Sequence, residues 1–213
     1  MILSIVTMVP MPKSKRMLLH DKLKAWHLIL ASQSPRRRQL LTEAGIGYTL
    51  AQRYECEEVY PSTLPATAVA EYLSTLKSKA YPLPLASDDI LLTADTVVVA
   101  DSRVLGKPEC RAEAIAMIES LSGREHEVIT GVTLRSADRR VSFSSHSKVR
   151  FRALSLEEIE YYVDTYAPMD KAGAYGIQEW IGYVGIEGIE GSFFNVMGLP
   201  VQRLYCELDA FIG

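Results

Sequence analysis

A short apolar run that leads into a serine-rich turn and a block of arginines is the feature that most constrains this chain. Residues 27–31 predict a strand, and Ser34 followed by Pro35 is typical of the N-cap and first position of a helix. Residues 36–38, all arginines, then fill the first helical turn. Because a helix start already carries partial positive charge, cations there are unfavourable unless an anion binds. The pattern therefore indicates either a phosphate-binding turn, since arginine binds phosphate through a planar fork, or a solvated basic turn.

Helix and strand signals alternate along the rest of the chain and predict an α/β protein with a mixed sheet. Apolar residues recur at helical spacing in some segments, and branched residues are concentrated in others. Ser155 and Glu158 have the spacing of a capping box at the start of one helix. The predicted helices cover residues 35–44, 66–81, 109–121, 155–165 and 194–213, and the predicted strands cover residues 27–31, 48–50, 90–100, 128–134 and 141–151.

Composition excludes several classes of protein. The chain has 213 residues, of which 48% are hydrophobic, and this favours one large domain over two small ones. Its net charge of −3 predicts neither a nucleic-acid-coating surface nor a polybasic membrane anchor. No apolar run reaches the roughly 18 residues that a membrane helix needs. The three widely spaced cysteines form neither a disulfide framework nor a zinc motif, which favours a reducing, cytoplasmic location.

The N-terminal segment has a different character from the rest. Residues 1–9 are apolar, but they lack the preceding positive charge and the cleavage site of a signal peptide. Met17 offers an alternative start that would remove the sixteen residues before it. We expect residues 1–26 to form an extension that is disordered or partly non-native, and residues 27–213 to form a single domain.

Asp95 is an acid inside an otherwise apolar strand, and this makes it the second informative residue. Carboxylates are rarely buried without a partner or a role. Asp95 is therefore either a general base or metal ligand, or a residue that ends a strand and starts a turn.

Two lysines are candidates for phosphate binding. Lys107 lies between Gly106 and Pro108, which restrict the local backbone, so it is either a directed phosphate contact or an ordinary surface lysine. Lys79 lies near the end of a predicted helix, where the helix dipole alone also favours a cation.

Two further groups have polar side chains suited to ligands. Glu55, Glu57 and Glu58 form an acidic cluster that is either solvated or able to bind a hard cation such as Mg²⁺. Gln178 ends a glycine-rich segment, and its amide presents a donor and an acceptor side by side, which suits the edge of a nucleobase.

Taken together, these segments resemble the Maf family of nucleotide pyrophosphatases. The resemblance runs from about residue 28 to the end of the chain, and the matching pieces occur in the family's order. It implies a fold similar to the inosine-triphosphate pyrophosphatases, with a mixed, strongly twisted central sheet, flanking helices and two lobes around a cleft. The matching segments are residues 30–37, 79–80, 94–96, 105–108, 121–130, 171–178 and 191–201.

The resemblance also implies an activity, which is hydrolysis of a nucleoside triphosphate to its monophosphate and pyrophosphate with Mg²⁺ or Mn²⁺. Asp95 takes the place of the catalytic base. The residues that mark the branch preferring dTTP and UTP correspond to Arg36, Thr96 and Gln178. The remaining implied contacts to the triphosphate are Lys79, Lys107, Ser32 and Ser34, and the implied metal ligands are Glu58 and Asp95.

One departure from the family pattern concerns the acidic loop. The family usually has Asp-Glu there, whereas this chain has Cys56-Glu57-Glu58, so Glu58 takes the Glu position and Glu57 replaces the Asp.

Two other functions stay open, a pyrophosphatase for modified nucleotides and a nucleotide-binding regulator of cell division. The expected partners are small nucleotides, without a nucleic-acid polymer or a membrane. A homodimer is possible, with residues 180–184 as either contact surface or core.

Overall fold

In the computed structural model, which describes residues 17–213, seven strands form one mixed sheet. Their order is β2-β1-β3-β5-β6-β7, and β4 pairs with β3 beside β1. β1 runs parallel to β2 and β3, whereas the other pairs are antiparallel. This arrangement confirms the predicted mixed α/β fold. The strands are β1 (His27–Leu30), β2 (Thr49–Leu50), β3 (Asp89–Ala100), β4 (Arg103–Leu105), β5 (Glu125–Arg135), β6 (Arg140–Phe151) and β7 (Ile186–Glu190).

Helices occur at all five predicted places, and two further helices, over residues 19–22 and 180–185, were not predicted. The capping box is present, since Ser155 Oγ accepts a hydrogen bond from the Glu158 N–H and the Glu158 carboxylate accepts one from the Ser155 N–H. Within residues 17–213, no helix is both long and apolar enough to cross a membrane. The helices are α1 (Leu19–Lys22), α2 (Pro35–Glu43), α3 (Val69–Ala80), α4 (Arg111–Leu121), α5 (Leu156–Tyr166), α6 (Trp180–Gly185), α7 (Phe193–Met197) and α8 (Val201–Ile212).

Residues 180–184 divide between the two interpretations that the sequence left open. Ile181 is buried in the main core, whereas Tyr183 is 81% exposed. The strand β7 that follows was not predicted. Its sequence, IEGIE, contains a central glycine and two acids, so it lacks a run of branched residues, and its pairing with β6 decides its conformation.

Alternate residues of β3 face two different layers. Val97 and Val99 pack with Val69 and Leu73 of α3 in one apolar cluster. The side chains between them face the larger core on the other side of the sheet. Because side chains alternate along a strand, Asp95 belongs to the face that α3 covers.

One edge of β3 is open in the middle. β1 pairs with β3 only as far as Leu30 and Leu92, and β4 pairs from Val98 onward. Among the described residues, therefore, no strand pairs with positions 94–97 on that edge. Side chains from both faces of β3 can reach the space beside this gap, and that space is where the candidate site lies.

Gly131 allows α3 to lie close to the sheet at this point. It is opposite Asp95 in the β3–β5 register, and a Cβ there would lie 2.3 Å from backbone atoms of Ala70. We expect Gly131→Ala to lower the free energy of unfolding by about 1–3 kcal/mol, because strand and helix backbones must separate. Denaturant unfolding measures this loss. Gly47→Ala is the matched control, since nothing lies within 4 Å of a Cβ there. Equal stability of the two variants would contradict the prediction.

The N-terminal segment differs from the expected extension at residues 19–25. This stretch forms α1 and a 3₁₀ turn (Leu23–Ala25), and Leu19 and Leu23 are buried. Lys22 Nζ also contacts Asp209 Oδ1 on α8 at 2.6 Å. The expectation of disorder is therefore wrong for these residues, because their two leucines, four positions apart, bury against the main core. The prediction for residues 1–16 lies outside the described residues.

Candidate active site

A cleft of about 870 Å³ opens beside the gap in the edge of β3. Its walls come from the turn before α2, the acidic loop after β2, α3, the loop after β4 and the glycine-rich segment after α5. This single cleft brings together all but one of the residues that the sequence singled out. Those that line it are Ser32, Ser34, Arg36, Glu58, Asp95, Thr96, Lys107 and Gln178.

Lys79 is the exception, and Lys77 takes its expected place. Lys79 is exposed and borders a separate surface groove with Tyr72. The Nζ of Lys77 lies in the cleft, where it contacts Glu58 Oε1 at 3.0 Å and also Asp95 Oδ1. Residues two apart on an α-helix point about 200° away from each other, so only one of these lysines can face the cleft.

The helical spacing contained the signal that identifies Lys77. The buried residues Ala70, Leu73 and Ser74 precede it by seven, four and three positions, so Lys77 continues the face of α3 that covers the sheet. Lys79 follows Tyr72 by seven positions and continues the outer face. The position of Lys79 near the helix end favoured the wrong lysine, and only this spacing distinguishes the two.

The ammonium group of Lys77 joins two carboxylates. Asp95 is buried, whereas the side chain of Glu58 is 45% exposed. Among residues 17–213 there is no group of three or more His, Cys, Asp or Glu side chains placed to hold a metal ion. Mg²⁺ commonly uses only one or two protein carboxylates together with substrate phosphates. Because the two carboxylates converge on one cationic group, this donor set fits a hard divalent cation that binds with a phosphate ligand.

Arg37, which was not among the predicted site residues, organises the edge of β3. Its buried guanidinium donates hydrogen bonds to the carbonyl oxygens of Gly198 and Ala94, both at 2.8 Å, and to Thr96 Oγ1 at 3.0 Å. Burial lowers the pKa of Arg37. The Ala94 bond occupies a carbonyl in the unpaired stretch of strand. Arg37 therefore stabilises the gap and fixes the position of Thr96.

Hydrogen bonds to Ser32 stabilise the turn before α2, and other polar groups of this turn face the cleft. Ser34 is the N-cap residue, as predicted, but its side chain makes no capping hydrogen bond. Ser32 Oγ accepts hydrogen bonds from the Ser34 N–H at 3.3 Å and from Arg37 at 3.0 Å. The positive end of α2 and the Ser34 hydroxyl are therefore available to an anion in the cleft.

Arg36 and Asp170 join two walls of the cleft. Arg36 Nη1 donates to Asp170 Oδ2 at 2.8 Å, and Lys171 Nζ donates to Asp170 Oδ1 at 2.8 Å. Burial raises the pKa of Asp170, but the hydrogen bonds from Lys171 and Arg36 outweigh it and lower that pKa to about 2. Asp170 is therefore ionised at neutral pH, and an anion that binds Arg36 has to compete with it.

Lys107 lines the cleft from a fixed loop. It is exposed, but the preceding Gly106 carbonyl accepts a hydrogen bond from the Gly173 N–H at 2.9 Å, and the following Pro108 is buried. The loop that carries Lys107 is thus hydrogen-bonded to the glycine-rich segment.

Gln178 presents an unsatisfied acceptor. Its Oε1 atom is buried and has no hydrogen-bond partner among the described residues. Leaving such a group unpaired costs about 1–3 kcal/mol, which a ligand N–H can recover. The side chain therefore has the properties of a group that recognises a donor on a ligand in the cleft.

Comparison with known proteins places this geometry in context. Residues 27–211 match the family described as Maf-like protein. The chain is similar to proteins named dTTP/UTP pyrophosphatase from Bacteroides thetaiotaomicron and Porphyromonas gingivalis. It is 50% identical to the first over 186 residues, which cover 87% of this chain and 96% of that protein. It is 48% identical to the second over 193 residues, which cover 90% of this chain and 97% of that protein.

A solved structure described as a HAM1 protein from Coxiella burnetii also resembles this chain. The match has a TM-score of 0.44 and 14% sequence identity, and it covers 87% of this chain and 99% of that chain.

Proposed function

The chain belongs to the Maf family, and from that premise we propose that it cleaves dTTP and UTP to the monophosphate and pyrophosphate. The relatives that are about half identical to it carry the name of this activity. The observation that supports the proposal best is the cleft itself. It brings Arg36, Lys77 and Lys107 together in one space with Asp95, a buried carboxylate that Lys77 contacts. A polyanion is the ligand that such a set of cations suits.

Asp95 acts as the general base in this proposal. A water oxygen attacks the α-phosphorus, and a new P–O bond forms as the bond to the α–β bridging oxygen breaks. The bridging oxygen keeps the electron pair and leaves with pyrophosphate, while the Asp95 carboxylate takes a proton from the water. Asp95 is mostly buried, but it lines the cleft beside the open edge of β3.

Cationic and neutral donors position the triphosphate. Arg36, Lys77 and Lys107 supply positive charge, and Ser32, Ser34 and the start of α2 supply neutral hydrogen bonds. Charge on the phosphate oxygens is the main quantity to stabilise in phosphoryl transfer, so fixed donors lower the barrier.

A divalent cation, Mg²⁺ or Mn²⁺, fits the carboxylates of Asp95 and Glu58, with Glu57 adjacent in the loop. When bound, such an ion adds positive charge beside the phosphate oxygens. Glu58 then contributes to cation binding, and the loop that carries it becomes part of the substrate site.

Thr96 and Gln178 select the base. Uracil and thymine carry an N3–H donor and an O4 acceptor, whereas cytosine lacks the N3–H. The buried Oε1 of Gln178 can accept the N3–H, and its amide nitrogen can donate to O4. Arg37 holds Thr96 in place at the same strand edge.

Pyrophosphate release from a panel of nucleotides tests this function. We expect the purified chain with Mg²⁺ or Mn²⁺ to cleave dTTP and UTP in preference to CTP, ATP and GTP. Gln178→Glu should reduce that preference, because a carboxylate has acceptors but no donor for O4. Unchanged rates on dTTP and UTP in this variant would remove Gln178 from base recognition.

The same panel separates the other functions that the sequence left open. Faster cleavage of modified triphosphates than of dTTP and UTP would make modified nucleotides the substrate. Tight nucleotide binding without pyrophosphate release would contradict hydrolysis and favour a regulator.

A further inference from the structure

Both ends of the turn that carries Gln178 form hydrogen bonds with one hydroxyl group. Its ends meet because the Glu179 N–H donates to the Gly176 carbonyl at 3.0 Å. The hydroxyl of Tyr162 accepts the Gly176 N–H at 2.9 Å and donates to the carboxylate of Glu179. The first and last residues of the turn are thus bound to the same atom, and Gln178 lies between them.

Tyr162 is a rigid anchor for this turn. It is completely buried on α5, and its ring stacks on Tyr166 with a centroid distance of 5.2 Å. Burial raises the pKa of Tyr162, so its hydroxyl stays protonated at neutral pH and can donate to Glu179.

Lys171 holds the other oxygen of Glu179. Lys171 is buried, and its Nζ contacts Glu179 Oε1 at 3.1 Å beside Gly176. A Cβ at Gly176 would lie 2.9 Å from the Glu179 carboxyl group and 3.1 Å from Lys171 Cε. The pair can pass over the turn only because residue 176 has no side chain. Glu179 is therefore fixed through both carboxylate oxygens.

We propose that Tyr162 and Glu179 are positioning residues that set base discrimination by fixing Gln178. The inference rests on the proposed function, since it requires Gln178 to recognise the base. Neither residue lines the cleft, so each acts through the turn. Asp95 lies on β3, a different element, and the Tyr162 hydroxyl bonds only to residues of the turn, so loss of that hydroxyl should leave the chemical step unchanged. Glu179 also pairs with Lys171, which contacts Asp170, so for this residue the ratio of UTP to CTP, in which the triphosphate is common to both substrates, is the informative quantity.

Tyr162→Phe tests the proposal by removing one hydroxyl while retaining the stacked ring. We expect the UTP to CTP ratio of kcat/KM to fall roughly fivefold to tenfold, the scale of one lost hydrogen bond. The change should appear mainly in KM for UTP, with kcat little altered. Tyr166→Phe is the matched control, because it removes the same group from the stacked neighbour on the same helix and should leave the ratio unchanged.

A coupling measurement distinguishes positioning from general destabilisation. In a Gln178→Ala background, Tyr162→Phe should have no further effect on the ratio, since the residue through which it acts is gone. Equal effects of Tyr162→Phe in both backgrounds would overturn the proposal. So would a wild-type ratio in the Tyr162→Phe protein.

Glu179 provides a second test that does not alter the buried ring. Glu179→Ala should reduce the ratio, and Glu179→Gln, which keeps an acceptor for the Tyr162 hydroxyl, should recover part of it. Equal ratios in the wild type and Glu179→Ala would overturn the proposal. If the wild-type enzyme itself shows no preference for UTP over CTP, the proposed function fails, which is a distinct result.

Discussion

Asp95→Asn is expected to lower kcat for UTP by about 10²- to 10⁴-fold, the usual contribution of a general base. The amide has nearly the same shape as the carboxylate and can still accept a hydrogen bond from Lys77, so the fold should be retained. It cannot take up a proton from the attacking water. Initial rates of pyrophosphate release at saturating UTP measure the loss.

Asp89→Asn is the matched control for this experiment. Asp89 lies at the start of the same strand, on the same face as Asp95 but away from the cleft. Wild-type rates are expected there, and thermal unfolding of both variants checks that the fold is intact. Turnover of Asp95→Asn at the wild-type rate would exclude Asp95 as the base.

Those parts of the fold that depend on neighbouring residues were predictable from the sequence. Ser34 and Pro35 do begin α2, and Ser155 with Glu158 does form the capping box of α5. Asp95 was identifiable because a charged residue within a branched, apolar strand needs a partner. In each case the decisive atoms lie within a few positions of one another along the chain.

The gap in the edge of β3 was not predictable in the same way. It arises because β1 ends at Leu30 and β4 begins opposite Val98, which is a matter of strand register between distant segments. Arg37 was overlooked for a related reason. Three adjacent arginines look alike in sequence, and only the position of α2 against β3 and α7 buries the middle one.

The anchoring of Gln178 shows the same limit. Tyr162 and Glu179 are seventeen positions apart, and a buried tyrosine on an amphipathic helix predicts only a core residue. Their connection depends on how the glycine-rich segment folds back onto α5. The capping box of Ser155 and Glu158 correctly placed Tyr162 within a helix, but it did not indicate that the Tyr162 hydroxyl binds two residues of a turn.

Lys77→Met is the second substitution for which we expect a large effect, a fall in kcat/KM for UTP of about 10²- to 10³-fold. The change removes a fixed cation from the cleft and leaves the carboxylates of Asp95 and Glu58 without the ammonium between them. Both the phosphate contact and the arrangement of the base are then lost.

Lys79→Met makes the same substitution two residues further along α3, on the outer face, and should have wild-type kinetics. Steady-state kinetics of the two variants, with thermal unfolding as a check, compare two lysines that differ chiefly in the direction they face. Loss of activity in Lys79→Met with retention in Lys77→Met would contradict the site and restore the assignment made from sequence alone.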